Sequence, residues 1–280
     1  MILQLFNSMK NASSLELTEG AYGAGMVMYV EGHWYRQAAT LLETLEREKI
    51  PLDALAQASL IRSFGILECE RNPLSKSVKE RNFQICKLLT SLFISGSKEN
   101  PNPESKVESK VESELSEALY TFLDKCEGSQ KEVYNAFLDC FWKKGYRNFT
   151  RKLLNHAKGK GFLDYTQPQL DELKWTLDVR GLSVGGAKAV ISDGLVSIST
   201  KEVQEILMVE IITGNEFKLE VIQDNRYVKG AISRMLKNLN SPFVDSSNDS
   251  KKVEAKAVDV VAWLSREEVK EAMGFSSLVH

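Results

Sequence analysis

Two periodicities divide this 280-residue chain and predict its fold class: an α-solenoid of helical-hairpin repeats, followed by a small α/β domain of βαβα type. The first observation is a recurrence, with Tyr22 and Tyr134 at matching places in two helix pairs. The second is the stretch Trp175 to Gly181, where Trp175, Leu177 and Val179 alternate with Thr176, Asp178 and Arg180 at the period of two that a strand requires. The third is the run Ile206 to Gly214, nearly all apolar, as in a strand covered on both faces.

Composition bounds the reading. Hydrophobic residues make up 43%, charged residues 26%, and the formal net charge is -2. No global basicity points to nucleic acid, so any such binding must come from local patches. No apolar run approaches the roughly 18 residues of a membrane span. Cys69, Cys86, Cys126 and Cys140 show no Cys-x-x-Cys spacing, and the histidines are His33, His156 and His280. That pattern points away from a zinc site and toward cysteines used as small buried hydrophobes in a reducing compartment.

In chain order, Leu3 to Lys10 has the form of a second helix of a hairpin already under way, which makes the chain read as the C-terminal part of something longer. Tyr22, Met26, Tyr29 and Val30 step out one helix, and Tyr35, Ala38, Leu41, Leu42 and Leu45 the next. The layout returns from Tyr134 through Lys144-Gly145 and Leu153-Leu154 to Gly161-Phe162. The offset of 112 residues corresponds to about three mid-thirties repeats plus an insertion. Leu55 to Leu67, Phe83 to Phe93 and Leu115 to Leu123 read as degenerate copies between them. Ser95 to Glu114, with its Asn-Pro-Asn-Pro and doubled Ser-Lys-Val-Glu, reads as a mobile insertion. The expected domains are therefore 1–165 and 166–280, joined through a bend at Pro168, with Leu170 to Leu173 docking on the second.

In that second domain Ser183 caps a helix from Val184 to Ser199, so the two strands and this helix form a βαβ unit. Val228, Ile232, Leu236 and Leu239 mark another amphipathic helix. Phe243-Val244 and Val253 to Val260 read as two short strands around a polar turn, and Ser265-Arg266-Glu267-Glu268 as a capping box for a last helix that Gly274 stops.

The chemistry-bearing residues gather where the first strand ends. Asp178 and Arg180 share one strand face, their Cα atoms about 6.6 Å apart, beside a glycine that releases the chain into a helix. Asp178 suits a general base or a single metal ligand, and Arg180 a phosphate contact; an ion pair that holds a strand end is the plainer alternative. Arg226, Lys229, Ser233 and Lys237 recur at spacings of three and four, a basic stripe beside a helix N-terminus that itself attracts anions. A solvated basic face is the plainer reading of that stripe.

Leu177-Asp178-Val179-Arg180-Gly181, then Thr213-Gly214, then the helix ending at Asn240-Ser241-Pro242-Phe243, resembles the Smr (small MutS-related) domain over about Lys174 to Leu264. The closest likeness is to the plant version fused behind pentatricopeptide repeats, which the helix pairs of the first half resemble in turn. The resemblance implies an RNA-binding protein of organelle RNA metabolism, in chloroplast or mitochondrion, with single-stranded RNA as partner and endonuclease activity as an uncertain addition. It implies catalytic roles for Asp178 and Arg180, and nucleic-acid contacts from Asn135, Thr213, Gly214, Lys218, Arg226, Lys229 and Lys237. Base reading would fall to Gly23 with Asp53, and to Asn135 with roughly Asp164. No cofactor is implied unless cleavage brings in a divalent metal. Asn215-Glu216 departs from the family's glycine-rich loop and places a negative charge where phosphate should approach, which weakens both affinity and cleavage. The alternative is a non-catalytic helical-repeat scaffold that binds other proteins. A nucleotide-binding βαβ enzyme would need a Gly-x-Gly-x-x-Gly or Walker pattern, which the chain lacks.

Overall fold

A computed structural model describes residue 8 and residues 18–66, 73–95, 117–125, 130–162, 168–171, 173–200, 206–214 and 225–274. The insertion and most of the Leu3 to Lys10 segment lie outside the described residues, as do Cys69, Cys126, Asp164 and the whole of 215–224. The chain is mostly helical with one small mixed sheet. Contacts divide it into two compact units, Met1–Cys140 and Phe141–His280. The division falls inside a helix, so the last helix of the second hairpin belongs with the sheet, whereas the change of periodicity lies later, near 165.

In the first unit, α1 (Glu19–Glu31) is apolar on every side and sits between α2 (Tyr35–Arg47) and α3 (Ala54–Ile66). Thr18 caps it by accepting from the Ala21 amide at 3.3 Å. Helix α2 is amphipathic and buries Ala38, Leu41, Leu42 and Leu45. Next come α4 (Leu74–Glu80), α5 (Gln84–Leu89), which runs on as a π-helical turn through Thr90–Ser95, and α6 (117–125). Arg81 ties α4 back to α2 through Glu46 at 3.0 Å. The Asn82 amide and then Arg81 hold the Glu46 carboxyl below its ordinary range.

The second hairpin is α7 (Gln130–Lys144) and α8 (Arg147–Gly159). It repeats the first at an offset of 112 in each turn. Trp34 N–H donates to Tyr29 O at 2.7 Å, and Tyr146 N–H to Phe141 O at 2.9 Å. Positive φ recurs at His33 (61°) and Gly145 (80°), then at Lys49 (58°) and Gly161 (75°). Ile50 N–H to Leu45 O is answered by Phe162 N–H to Ala157 O. Tyr22 and Tyr134 are both buried at equivalent positions.

The sheet of the second unit runs β1-β2-β3-β5-β4. Strands β2 (Lys174–Asp178) and β3 (Met208–Ile212) are parallel, with α9 (Val184–Thr200) as their crossover. Trp175, Leu177 and Val179 are buried, as alternation requires, and Gly194 lets α9 lie close over Leu177 and Trp175. Ser183 caps α9 at the Gly186 amide, 3.1 Å. Helix α10 (Asn225–Asn238) packs beside α9, burying Val228, Ile232 and Leu236. The β4 (Val244–Asp245) and β5 (Lys252–Lys256) hairpin closes the other edge, with β5 antiparallel to β3.

Four expectations give way. Leu170 does not dock: Gln169–Asp171 forms β1, antiparallel to β2 at the sheet edge, and Leu170 is 60% exposed. Strand β3 is not apolar on both sides, because Glu210 faces away from the helices. The run after Lys256 is helix α11 (Ala257–Leu264), not strand, since Ala257, Val260, Trp263 and Leu264 bury together at helical spacing and override the valines' strand preference. Ser265 is not a capping box; its hydroxyl donates to Ala262 O and ends α11, while α12 (Glu267–Met273) starts at Glu267 without a side-chain cap. Gly274 stops α12 in the left-handed region, φ 77°.

Candidate nucleic-acid interface

The ends of the parallel strands bring together the two residues that spacing placed on one face. Arg180 grips Asp178 by a fork: Nε donates to both carboxylate oxygens (3.0 and 2.9 Å), Nη2 to Oδ2 at 2.5 Å, and the Arg180 amide to Oδ1 at 2.9 Å. Gly181, at φ 74°, turns the chain away from the strand directly after the fork. The Arg180 side chain is 57% exposed, and Nη1 lies outside the fork. Asp178, and secondarily Asp249, raise the guanidinium above its ordinary range. The plainer reading of the pair is therefore the geometry observed, and it leaves Arg180 facing solvent with donor capacity in reserve.

Beneath Arg180 lies Gly214, φ 93°, where an added Cβ would stand 3.5 Å from Arg180 Cγ. Its amide, in a residue for which the resemblance implied a nucleic-acid contact, has a partner within the fold. Gly214 N–H donates to Lys251 O at 3.3 Å, Thr213 N–H to the same oxygen at 2.8 Å, and Thr213 Oγ1 at 3.0 Å. The β4–β5 turn thus closes the second strand end and consumes the donors that were expected to face a ligand.

Lys229 is the largest departure. It was expected to project from a solvated basic stripe, yet its side chain is only 9% exposed, with Nζ donating to Ser250 O at 2.5 Å and paired to Asp245 at 3.2 Å. On a helix at 100° per residue, Lys229 falls about 20° from Leu236, at the border of the apolar stripe, and the β4–β5 turn covers it. Lys237 is exposed, and eleven residues of helix put it about 16 Å further along α10 than Arg226. Arg226's side chain and Lys218 lie outside the described residues. Asn135 is half-buried on α7, in the first unit.

Sequence spacing also missed the sheet's open face. Glu210 is buried there, paired with Lys174 at 2.9 Å and Lys252 at 3.4 Å. Burial pushes its carboxyl up, but the two ammonium groups outweigh this and hold it below the ordinary range. Glu254 stands directly across from Glu210 in the β3–β5 register. Carboxylates and lysines interleave on this face, and among the described residues no group of three or more His, Cys, Asp or Glu side chains could hold a metal ion. Cys86 and Cys140 are buried and outside any disulfide, and burial pushes the Cys86 thiol up to about 12. Among the described residues no helix is long and apolar enough to cross a membrane. No protein-family model matches the chain, and no curated protein matches it.

Proposed function

We propose that this protein binds single-stranded RNA, with its helical hairpins acting as pentatricopeptide-type repeats of an α-solenoid and its α/β unit as an Smr-type domain. The observation that carries this reading is the recurrence of one hairpin at an offset of 112, matched turn for turn in hydrogen bonds and in positive φ. A repeated hairpin that buries its faces only by stacking is the architecture suited to reading an extended chain. In the first copy, Gly23 and Asp53 are neighbours: a Cβ at Gly23 would overlap the Asp53 carboxylate, whose Oδ1 caps α3 at the Ala56 amide, 2.8 Å. The equivalent position in the second copy is Asn135, whose amide can both donate to and accept from a base edge.

At the α/β rim, Arg180 is the phosphate contact and Asp178 its positioning partner. The carboxylate accepts four hydrogen bonds from Arg180, which aims the guanidinium outward. As a general base Asp178 would have to surrender them, so RNA binding without cleavage is the reading we favour. Action in chloroplast or mitochondrial RNA metabolism follows from the family resemblance.

Binding of a degenerate single-stranded RNA pool to the full chain, with Arg180→Gln and Asp178→Asn beside it, tests the proposal. Arg180→Gln is expected to weaken binding and lower the salt slope by about 0.7, one phosphate contact on a single strand. Asp178→Asn is expected to keep most of the affinity. Absent or salt-insensitive binding by the unaltered chain would instead support a protein-binding scaffold, and RNA cleavage lost only in Asp178→Asn would restore the carboxylate as a base.

A further inference from the structure

Helix α8 carries two arginines one turn apart on a single face, and neither is matched by an acid. Arg147, Arg151 and Leu154 line a cleft that Ser192 and Asp193 of α9 and Met273 of α12 complete. Leu154, Ser192 and Met273 are buried, and both arginines are half-buried.

Each guanidinium donates to a carbonyl near a helix end. Arg147 Nη1 donates to Trp142 O at 2.6 Å, with the guanidinium 3.8 Å from the Trp142 ring centre. Arg151 Nη2 donates to Gly274 O at 2.7 Å. These bonds fix the two side chains in the cleft and use one donor of the five that each guanidinium carries. Among the described residues neither arginine has an ion-pair partner. The carboxylate that lines the cleft, Asp193, pairs with Lys158 at 2.7 Å.

Charges withdrawn from water are ordinarily paired, and like charges four residues apart on a helix repel. Burial pushes the Arg147 guanidinium below its ordinary range, with no acid opposing the shift. The hairpin fold does not require these cations, because at the offset of 112 the equivalent places on α2 hold Tyr35 and Ala39.

We infer that this cleft is an anion site, in which Arg147 and Arg151 together hold a phosphate group, carried as inorganic phosphate or as a phosphate monoester. A dianion matches two guanidiniums in charge. A tetrahedral oxyanion also offers separate oxygens to two forks about 6 Å apart along the helix, whereas a carboxylate would satisfy one. The cavity is about 10 Å³, room for one water-sized group, so a phosphate oxygen enters and the rest of the ligand stays at the mouth. Such a site anchors a phosphate and does not enclose a nucleoside. The inference is independent of the RNA-binding reading and of the strand-end rim.

The test titrates the full chain with inorganic phosphate at constant ionic strength, read by calorimetry and by broadening of the phosphorus NMR resonance. Saturable binding is expected, weakened about tenfold or more in Arg147→Gln and in Arg151→Gln, since each removes a charged hydrogen-bond donor. Arg234→Gln, at an exposed arginine of α10, is expected to bind as the unaltered chain does. Acetate at the same concentration is expected not to compete; competition equal to that of phosphate would make the cleft a general cationic surface and overturn the assignment. Adenosine monophosphate separates the two sources. Affinity equal to that of phosphate assigns the site to an ester, no affinity assigns it to the free ion, and either supports the inference. Where a glutamine variant does not fold, Arg147→Lys or Arg151→Lys takes its place, keeping the charge and losing the fork, again with weakened binding expected. No saturable phosphate binding by the unaltered chain, or undiminished binding in folded variants at both arginines, overturns the inference.

Discussion

Replacing Lys229 by methionine separates a structural cation from a ligand-binding one. Methionine keeps most of the buried stem and removes the ammonium, so the hydrogen bond to Ser250 O and the pair with Asp245 are among the interactions lost. A hydrogen bond from a charged donor contributes about 1.5–3 kcal/mol. The Asp245 side chain is 66% exposed, so the ion pair adds at most about 1 kcal/mol. The expected destabilisation is thus about 1.5–4 kcal/mol, concentrated in the β4–β5 turn. Because the chain has two units and two-state unfolding is not assured, amide hydrogen exchange is the suitable assay. The Thr213 and Gly214 amides, which donate to Lys251 O, should exchange faster, and RNA affinity should keep its salt slope. Unchanged exchange at those two amides, together with a slope reduced by about 0.7, would refute the structural role and return Lys229 to the ligand face.

Three further outcomes follow from the packing. Glu210 has a folded-state pKa below its ordinary value, so its stabilisation is present above the unfolded carboxyl pKa and fades as pH falls through the folded one. The α/β unit should lose stability below about pH 4.5, and Glu210→Gln should flatten that acid limb, as followed by near-ultraviolet circular dichroism. Gly274→Ala should destabilise by at least about 1–2 kcal/mol, because φ is 77° and a Cβ would stand 2.9 Å from Arg147 Cβ; an unchanged melting temperature would contradict this. Cys86 and Cys140, both buried, should resist alkylation in the native protein and react once it is unfolded in urea, as mass spectrometry would read out.

Much of the architecture was legible because local periodicity and burial agree. Trp175, Leu177 and Val179 alternate in sequence and are buried in the sheet, and the 112-residue offset between tyrosines anticipates two hairpins with the same turns. What was illegible depends on partners distant in the chain. Lys229 looks like a surface cation until the turn at Ser250, 21 residues later, covers it. Gly214 looks open until Lys251 O accepts its amide. Val258 to Val261 has strand composition, yet packing of Val260 and Trp263 makes the segment helical. Of the candidate site, the proximity of Asp178 and Arg180 was legible because it is local: the two stand two residues apart at the strand end, where the Arg180 amide and guanidinium both reach the Asp178 carboxylate.

RNA binding by the full chain over a range of ionic strength bears on the function most directly. A linear fall of log affinity with log salt, at a slope corresponding to several phosphate contacts and shallower in Arg180→Gln, is the expected result. Failure to bind any single-stranded RNA at low salt, with both units folded, would contradict it.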